Sequence, residues 1–462
     1  MARILIAIDQ KWRDLPGHVY AGAMLEQLGH EVKYVRNNLE KHFARVAKPD
    51  LVLLNHLTPV KKQKFARYLK THGVKVAILP TEGIPTLEKM RPSFVGGPDC
   101  DLSAVDVHFV WNQPMADILQ ENPTIREGVI HKIGSPRFDF YREPLLLSLP
   151  SRQDFLKKYK LDPNLPVVTF ATNFTQASFY TANQDFFEKN ARSYGRDAAF
   201  ETMFGNYREV PRKDHLSRAI FTDGFLKLVE HFPDVNFILK LHPSEDHEFY
   251  QCLVEEKIPS AASRVKIISS AYIWDVIVAS DVLMSRSCTT ALEAWFLGKP
   301  TIEMQLNPDD WYFSPEHASG SDMVSNVADL KIKLAFYLSG GEIAPDLIAA
   351  RERFIQRWCF KVDGCSTLRM VERLHDLVSV CGSEKKHTNK LPFNLKSNFY
   401  GVALTAADYL IHDVRVYGMK NVSQRNYVDK LGRFDKYFHA RDVGFWREKL
   451  KSIAESAMAN RC

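Results

Sequence analysis

The stretch FILKLHPSEDHEFY, Phe237 to Tyr250, ends an apolar run by presenting Lys240, His242, Pro243, Ser244 and Glu245 almost together. A lysine and a histidine at the mouth of a buried strand are donors suited to an anion such as a phosphate. The same residues also read as a plain strand-to-helix turn, with Pro243 opening the helix and Glu245 decorating its first turn. Further on, SRSCTT from Ser285 to Thr290 sets a hydroxyl-rich turn directly before an apolar helix that closes at Gly298 and Pro300. Ser, Cys and Thr at a helix start leave backbone N–H groups free, and those donors with the helix dipole hold phosphate without a glycine-rich loop. Thr289 and Thr290 are the expected donors; Ser287 or Thr289 serves equally as an ordinary N-cap. Glu293, four residues after Thr289, is placed to accept from ribose hydroxyls.

Asn173, in ATNF, follows another strand and either makes an Asx turn or faces the same ligand. The first third of the chain offers a second set: Arg13 and Asp14 in KWRDLPG, Glu82 in PTEG, Gln113 in WNQP, and Arg137 with Asp139 in GSPRFD. Each sits where an apolar run ends. Neighbouring arginine and aspartate also form plain structural ion pairs.

These residues need a scaffold that brings strand ends together. Apolar runs of five to seven residues (RILIAI, EVKYV, DLVLLN, VKVAILP, VDVHFVW) alternate with amphipathic stretches of helical length up to about residue 145. That rhythm predicts βαβ units and a parallel sheet. A Pro-rich stretch, REPLLLSLPSRQDFLKKYKLDPNLP, breaks it, and the alternation restarts at VVTFATNF with one long insertion from Thr175 to Pro233. The sequence therefore predicts an α/β protein with a doubly wound domain over 1–150, a second over 151–345, helices returning toward the first over 346–382, and an appendage over 383–462. Ligands of open parallel sheets lie beyond the carboxyl ends of the strands, so the loops after Phe170, Leu241 and Met284 should share one crevice.

Composition narrows the class. The chain has 462 residues, of which 45% are hydrophobic and 25% charged, enough for two sizeable cores. No run approaches the roughly 18 apolar residues of a membrane span, and MARILIAIDQ reads as a first strand rather than a signal peptide. Seven cysteines without a CxxC pair suggest neither a disulfide framework nor a zinc site, and point to a cytoplasmic protein. From Ser383 onward fifteen Lys and Arg face eight Asp and Glu, so the net charge of +6 belongs to the tail. Together with Phe393, Phe399, Tyr400, Tyr417, Tyr427, Tyr437, Phe438, Phe445 and Trp446, this suggests a folded basic appendage near an anionic membrane surface; no nucleic acid partner is expected.

The strings KWRDLPG, PTEG, GSPRFD, ATNF, KLHPSE and SCTTALEAWFLGKP occur in the same order as similar strings in bacterial surface carbohydrate biosynthesis proteins, and over residues 1–380 the chain resembles that group. It includes retaining β-Kdo transferases acting on lipopolysaccharide O-antigen or capsule. The resemblance implies a GT-B fold of two facing Rossmann-like domains, the first binding acceptor and the second a nucleotide sugar. It also implies that His242 and Pro243 are the HP motif contacting the nucleotide phosphate, completed by Ser287, Thr289 and Thr290. One departure is plain: the basic residue is Lys240, with Leu241 before the histidine, where many relatives have an arginine directly before it.

The expected activity is then a metal-independent glycosyltransferase moving a sugar, Kdo-like and CMP-linked, onto a glycan or lipid-linked glycan acceptor. No further cofactor is expected, because phosphate charge is met by helix dipole, His242 and Lys240. The acceptor hydroxyl needs a base and a double displacement also needs a carboxylate nucleophile; Glu82 and Asp14 are the candidates, with Asp214 in the insertion as a third. Alternatives are a CDP-polyol phosphotransferase, a nucleotide-sugar 2-epimerase and a non-catalytic assembly scaffold; SRSCTT replaces the glycine-rich turn expected of the epimerase.

Overall fold

The structure is a computed structural model that describes residues 1–37, 39–84, 100–182, 188, 201, 205–379, 391, 399 and 438–460. Among them lie two six-stranded sheets, every pairing parallel. The first sheet takes β1 (Arg3–Ile8), β2 (Glu31–Arg36), β3 (Leu51–Leu54), β4 (Lys75–Ile78), β5 (Val107–Val110) and β6 (Ile130–Lys132) in the order β2-β1-β3-β4-β5-β6. Its crossovers carry α1 (Leu15–Gln27), α2 (Glu40–Ala47), α3 (Val60–Thr71) and α4 (Gln113–Gln120).

A helical turn at Pro136–Tyr141 and α5 (Arg152–Tyr159) lead into the second sheet. Its strands are β7 (Val167–Ala171), β8 (Asn236–Lys240), β9 (Val265–Ile268), β10 (Val282–Ser285), β11 (Thr301–Met304) and β12 (Asp322–Val324), in the order β12-β11-β10-β7-β8-β9. The helices here are α6 (Ala177–Ala182), α7 (Glu209–His231), α8 (His247–Lys257), α9 (Ile273–Ala279), α10 (Thr289–Trp295), α11 (Pro315–Ala318) and α12 (Val327–Leu338). This is the expected α/β architecture of two Rossmann-like sheets.

Strands such as Leu51–Leu54 and Val167–Ala171 are buried along their whole length because helices cover both faces, which is why they read as unbroken apolar runs. Next come α13 (Pro345–Trp358) and α14 (Ser366–Ser379), which returns to pack on α1. A last helix, α15 (Ala440–Asn460), also lies along α1. Leu15 to Leu25 are therefore buried on every side of α1, as a helix apolar all round requires.

Of the appendage, Phe438 and Trp446 are buried and Phe445 is exposed; Phe393, Tyr400, Tyr417, Tyr427 and Tyr437 lie outside the described residues. The Phe438 carbonyl accepts from Arg36 Nε and Nη2 at 3.0 and 2.9 Å, and Asp442 pairs with Lys11 at 3.3 Å. Trp446 donates to the Tyr272 hydroxyl at 2.7 Å and packs edge-on against Phe140 of the first domain and Trp274 of the second. No described helix is long and apolar enough to cross a membrane.

Candidate functional site

In the second sheet the strand order reverses between β10 and β7, so the loops beyond their carboxyl ends diverge and leave a crevice. Asn173 after β7, Leu241 to Pro243 after β8, and Ser287 to Thr290 after β10 all line it. From the first domain Gln10, Trp12, Arg13, Glu82, Trp111 and Arg137 close the opposite wall of a cavity of about 220 Å³.

Lys240 ends β8, and its Nζ donates to the carbonyls of Leu241 and Ser269 at 3.0 and 3.2 Å. Burial lowers its pKa to about 8, with Glu245 acting in the opposite sense. The His242 ring accepts from the Ser244 N–H at Nδ1, 3.1 Å, which leaves the ring proton of the neutral form on Nε2 as a donor. Ser244 thus orients the histidine and does not itself line the cleft.

Glu245 corrects the sequence reading. It is buried and accepts from the His242 N–H (2.9 Å), Thr172 Oγ1 (2.6 Å) and the Tyr250 hydroxyl (2.5 Å), with burial raising its pKa. One carboxyl group stitches the loops after β7 and β8. The helix starts at His247 under an Asp246 cap, so Pro243 does not open it.

The hydroxyl turn divides in two. Ser287 adopts φ +42°, sends its N–H and Oγ to Glu303 Oε1 (2.5 and 3.0 Å), and accepts from the Ser314 N–H at 2.8 Å. Its hydroxyl is engaged inward, contrary to the phosphate role expected of it. Burial raises Glu303 to about pKa 8, and the contacts with Ser285 and Ser287 only partly offset this. The N-cap of α10 is Cys288, whose Sγ accepts from the Thr290 N–H, rather than Ser287 or Thr289. Thr289 and Thr290 remain on the cleft wall.

Behind the wall lies a residue the sequence did not flag. Arg286 is fully buried, pairs with Asp214 Oδ1 at 2.7 Å and Asp310 Oδ2 at 2.6 Å, and donates to the Asn173 carbonyl at 2.9 Å. Its guanidinium sits 4.5 Å from the Phe174 ring and 5.3 Å from that of Tyr312, another cleft residue. Arg286 therefore hangs two cleft residues from one hub. Asp214 is withdrawn as a catalytic candidate, since its carboxylate is a buried partner of that hub, and it also accepts from the Gln176 N–H at 2.8 Å.

On the first domain's wall, Arg13 gathers three carboxylates. Its Nε and Nη2 grip Asp14 side-on at 2.8 and 3.1 Å, Nη2 reaches Asp9 at 3.0 Å, and Nη1 reaches Glu82 at 3.0 Å. Burial would lower the arginine's pKa, but Asp14, Glu82 and Asp9 more than reverse it. Asp14 also accepts from the Gln10 N–H at 3.1 Å, so both its oxygens are engaged; it is a clamp for Arg13 and leaves the catalytic set.

Glu82 lies four residues beyond β4 in a loop rather than on the strand end, and its side chain keeps 56% of its exposure. Gly83 lets this loop press on Trp111, because a Cβ there would stand 2.5 Å from the ring. Gln113 bonds Asp117 and Lys132 on the exposed face of α4 and does not line the cleft.

Glu293 joins the domains: Tyr141 donates to its Oε2 at 2.5 Å and Arg137 pairs with Oε1 at 3.3 Å. A ribose hydroxyl at this carboxylate would share it with Arg137. The buried Nε–H of Arg137 has no acceptor among the described residues. Asp139 faces away from the cleft and caps α14, accepting from the N–H groups of Ser366 and Thr367 at 3.0 and 2.7 Å.

No protein-family model matches the chain, and no curated protein matches it. Solved structures do. The wall teichoic acid polymerase TagF aligns over 83% of this chain and 90% of its own at 12% identity with a TM-score of 0.53, and a TagF structure soaked with CDPG over the same shares at 13% and 0.51. An S. aureus MnaA–UDP structure aligns over 82% of this chain and 98% of its own at 13% identity and 0.50. At such identities the likeness is one of fold: the chain has the GT-B arrangement of two facing Rossmann-like domains.

Proposed function

We propose that the chain is a glycosyltransferase that moves a Kdo-like acidic sugar from a CMP donor onto a bacterial surface glycan, without a metal ion. The observation that carries this reading is the lining of the interdomain cleft: Lys240, His242, Thr289 and Thr290 on one wall face Arg13, Arg137 and Glu82 on the other. The first group suits a nucleotide phosphate. Arg137, with an Nε–H that lacks an acceptor among the described residues, suits the carboxylate of the transferred sugar, which a guanidinium binds side-on. Glu82 is the acceptor-side base, since it alone of the three candidate carboxylates lines the cleft and keeps substantial exposure.

The test is a thermal-shift screen of CMP, CDP, UDP and GDP, in which the true nucleotide at 100 times its Kd stabilises by about 2.7 kcal/mol. A response to CMP, followed by sugar transfer that survives EDTA, supports the proposal. A response confined to CDP favours a polyol-phosphate polymerase, the reading next in line given the fold likeness to TagF. A lipid-linked acceptor at an anionic surface fits the basic tail; vesicle co-sedimentation indifferent to anionic lipid and to salt would remove that part.

A further inference from the structure

The first domain has a reversal of strand order of its own, between β1 and β3, and by the rule that places ligands at such points it too should offer a crevice. Here the protein fills it. The residues directly following three adjacent strands are Asp9 after β1, Asn37 after β2 and Asn55 after β3. Lys62 of α3 reaches into their midst with its side chain only 4% exposed, donating to Asn55 Oδ1 at 2.8 Å and to Asn37 Oδ1, and pairing with Glu40 at 3.2 Å. Asn37 Nδ2 donates to Asp9 Oδ1 at 2.8 Å, Asp9 Oδ2 accepts from Arg13 at 3.0 Å, and Arg13 holds Glu82 at 3.0 Å.

We infer that Lys62, Asn37 and Asp9 are positioning residues whose hydrogen-bond chain fixes the Arg13 guanidinium and so aims Glu82 into the cleft. The inference rests on the reading of Glu82 as acceptor-side base. Its physical basis is a count of donors. Arg13 has five N–H groups in a rigid plane, and Asp14 alone leaves the plane free to pivot about its own edge. Asp9, on another side, supplies the second anchor, and Asn37 with Lys62 keeps Asp9 from turning. The Lys62 ammonium is itself costly to bury, and its pKa is lowered by that burial against the pull of Glu40.

The test uses the full chain with two variants: Asp9→Ala, at a partly exposed side chain, and the double variant Glu40→Gln/Lys62→Met, which leaves no unpaired buried charge. Each should bind the nucleotide identified above with parent-like Kd and acceptor KM, yet show kcat lowered about 10–100-fold, the range expected when a reacting group is misplaced from a distance. The Arg13 Nε–Hε resonance, assigned with Arg13→Lys, should be sharp in the parent and broadened in both variants. Parent-like kcat together with an unchanged resonance overturns the inference. If the parent transfers no sugar, the functional reading fails on its own, and the resonance alone decides the relay: broadening supports it and an unchanged line overturns it.

Discussion

Arg13 Nη1 lies 3.0 Å from Glu82 Oε1, and the same guanidinium grips both oxygens of Asp14. One arginine thus holds a spent carboxylate and an available one. Glu82→Gln should keep the nucleotide affinity of the parent, because the second domain is untouched, and lose transfer by about 10²-fold or more. Parent-rate transfer by that variant would remove Glu82 from the mechanism.

His242 should decide nucleotide binding. His242→Ala is expected to abolish binding of the nucleotide with little change in Tm, as a turn residue at a cleft carries little core packing. Thr289→Val/Thr290→Val should weaken the same ligand less, because backbone N–H groups persist. Calorimetric titration of both variants checks the order; equal losses would contradict it.

Lys240 gives the site a pH dependence. Its folded pKa of about 8 lies below the ordinary lysine value near 10.4, so the ammonium that faces phosphate is lost as pH rises through 8. Nucleotide binding should weaken as pH rises above 8, while Lys240→Met should bind weakly with that alkaline step gone. The sign for stability is opposite. A depressed lysine pKa contributes stability above the unfolded value and loses it as pH falls through the folded one, so at pH 7 Lys240→Met should melt a few degrees higher than the parent. A lower Tm would mean that packing outweighs burial of the charge.

Arg286 should matter to stability first. Arg286→Leu leaves Asp214 and Asp310 buried without their cation, a loss of about 3–5 kcal/mol that urea unfolding can measure. A parent-like midpoint would deny it the role of hub.

Trp446 tests the last helix. Trp446→Ala removes a buried ring that touches both domains and should cost about 3–5 kcal/mol. Urea unfolding followed at a probe in each domain reports whether the two then melt apart.

The alternation of apolar runs revealed both sheets because period and length are local properties, and the same locality put His242, Asn173, Thr289 and Thr290 at strand ends that share a crevice. The partners of Asp214 and Ser287 were not legible. Each looked like a polar residue at a loop, and only the fold brings Arg286 and Glu303 to where they occupy those groups. Glu245 was misread for a related reason: a glutamate after HP resembles first-turn decoration until Thr172 and Tyr250 enclose it. Arg286, flanked by two serines, carried no signal of its own, because its two carboxylate partners lie 72 and 24 residues away along the chain.

The packing of α15 on α1 bears on how the chain comes to be folded. Glu26 of α1 pairs with Arg447 of α15 across 421 residues of sequence, and Leu450 and Ala454 are fully buried. The first sheet and α1 leave the ribosome long before the helix that covers them exists. Until then α1 exposes an apolar flank, so the first domain should emerge as a sticky intermediate that depends on chaperone shelter, with ring closure by residues 440–460 as the slow, long-range step.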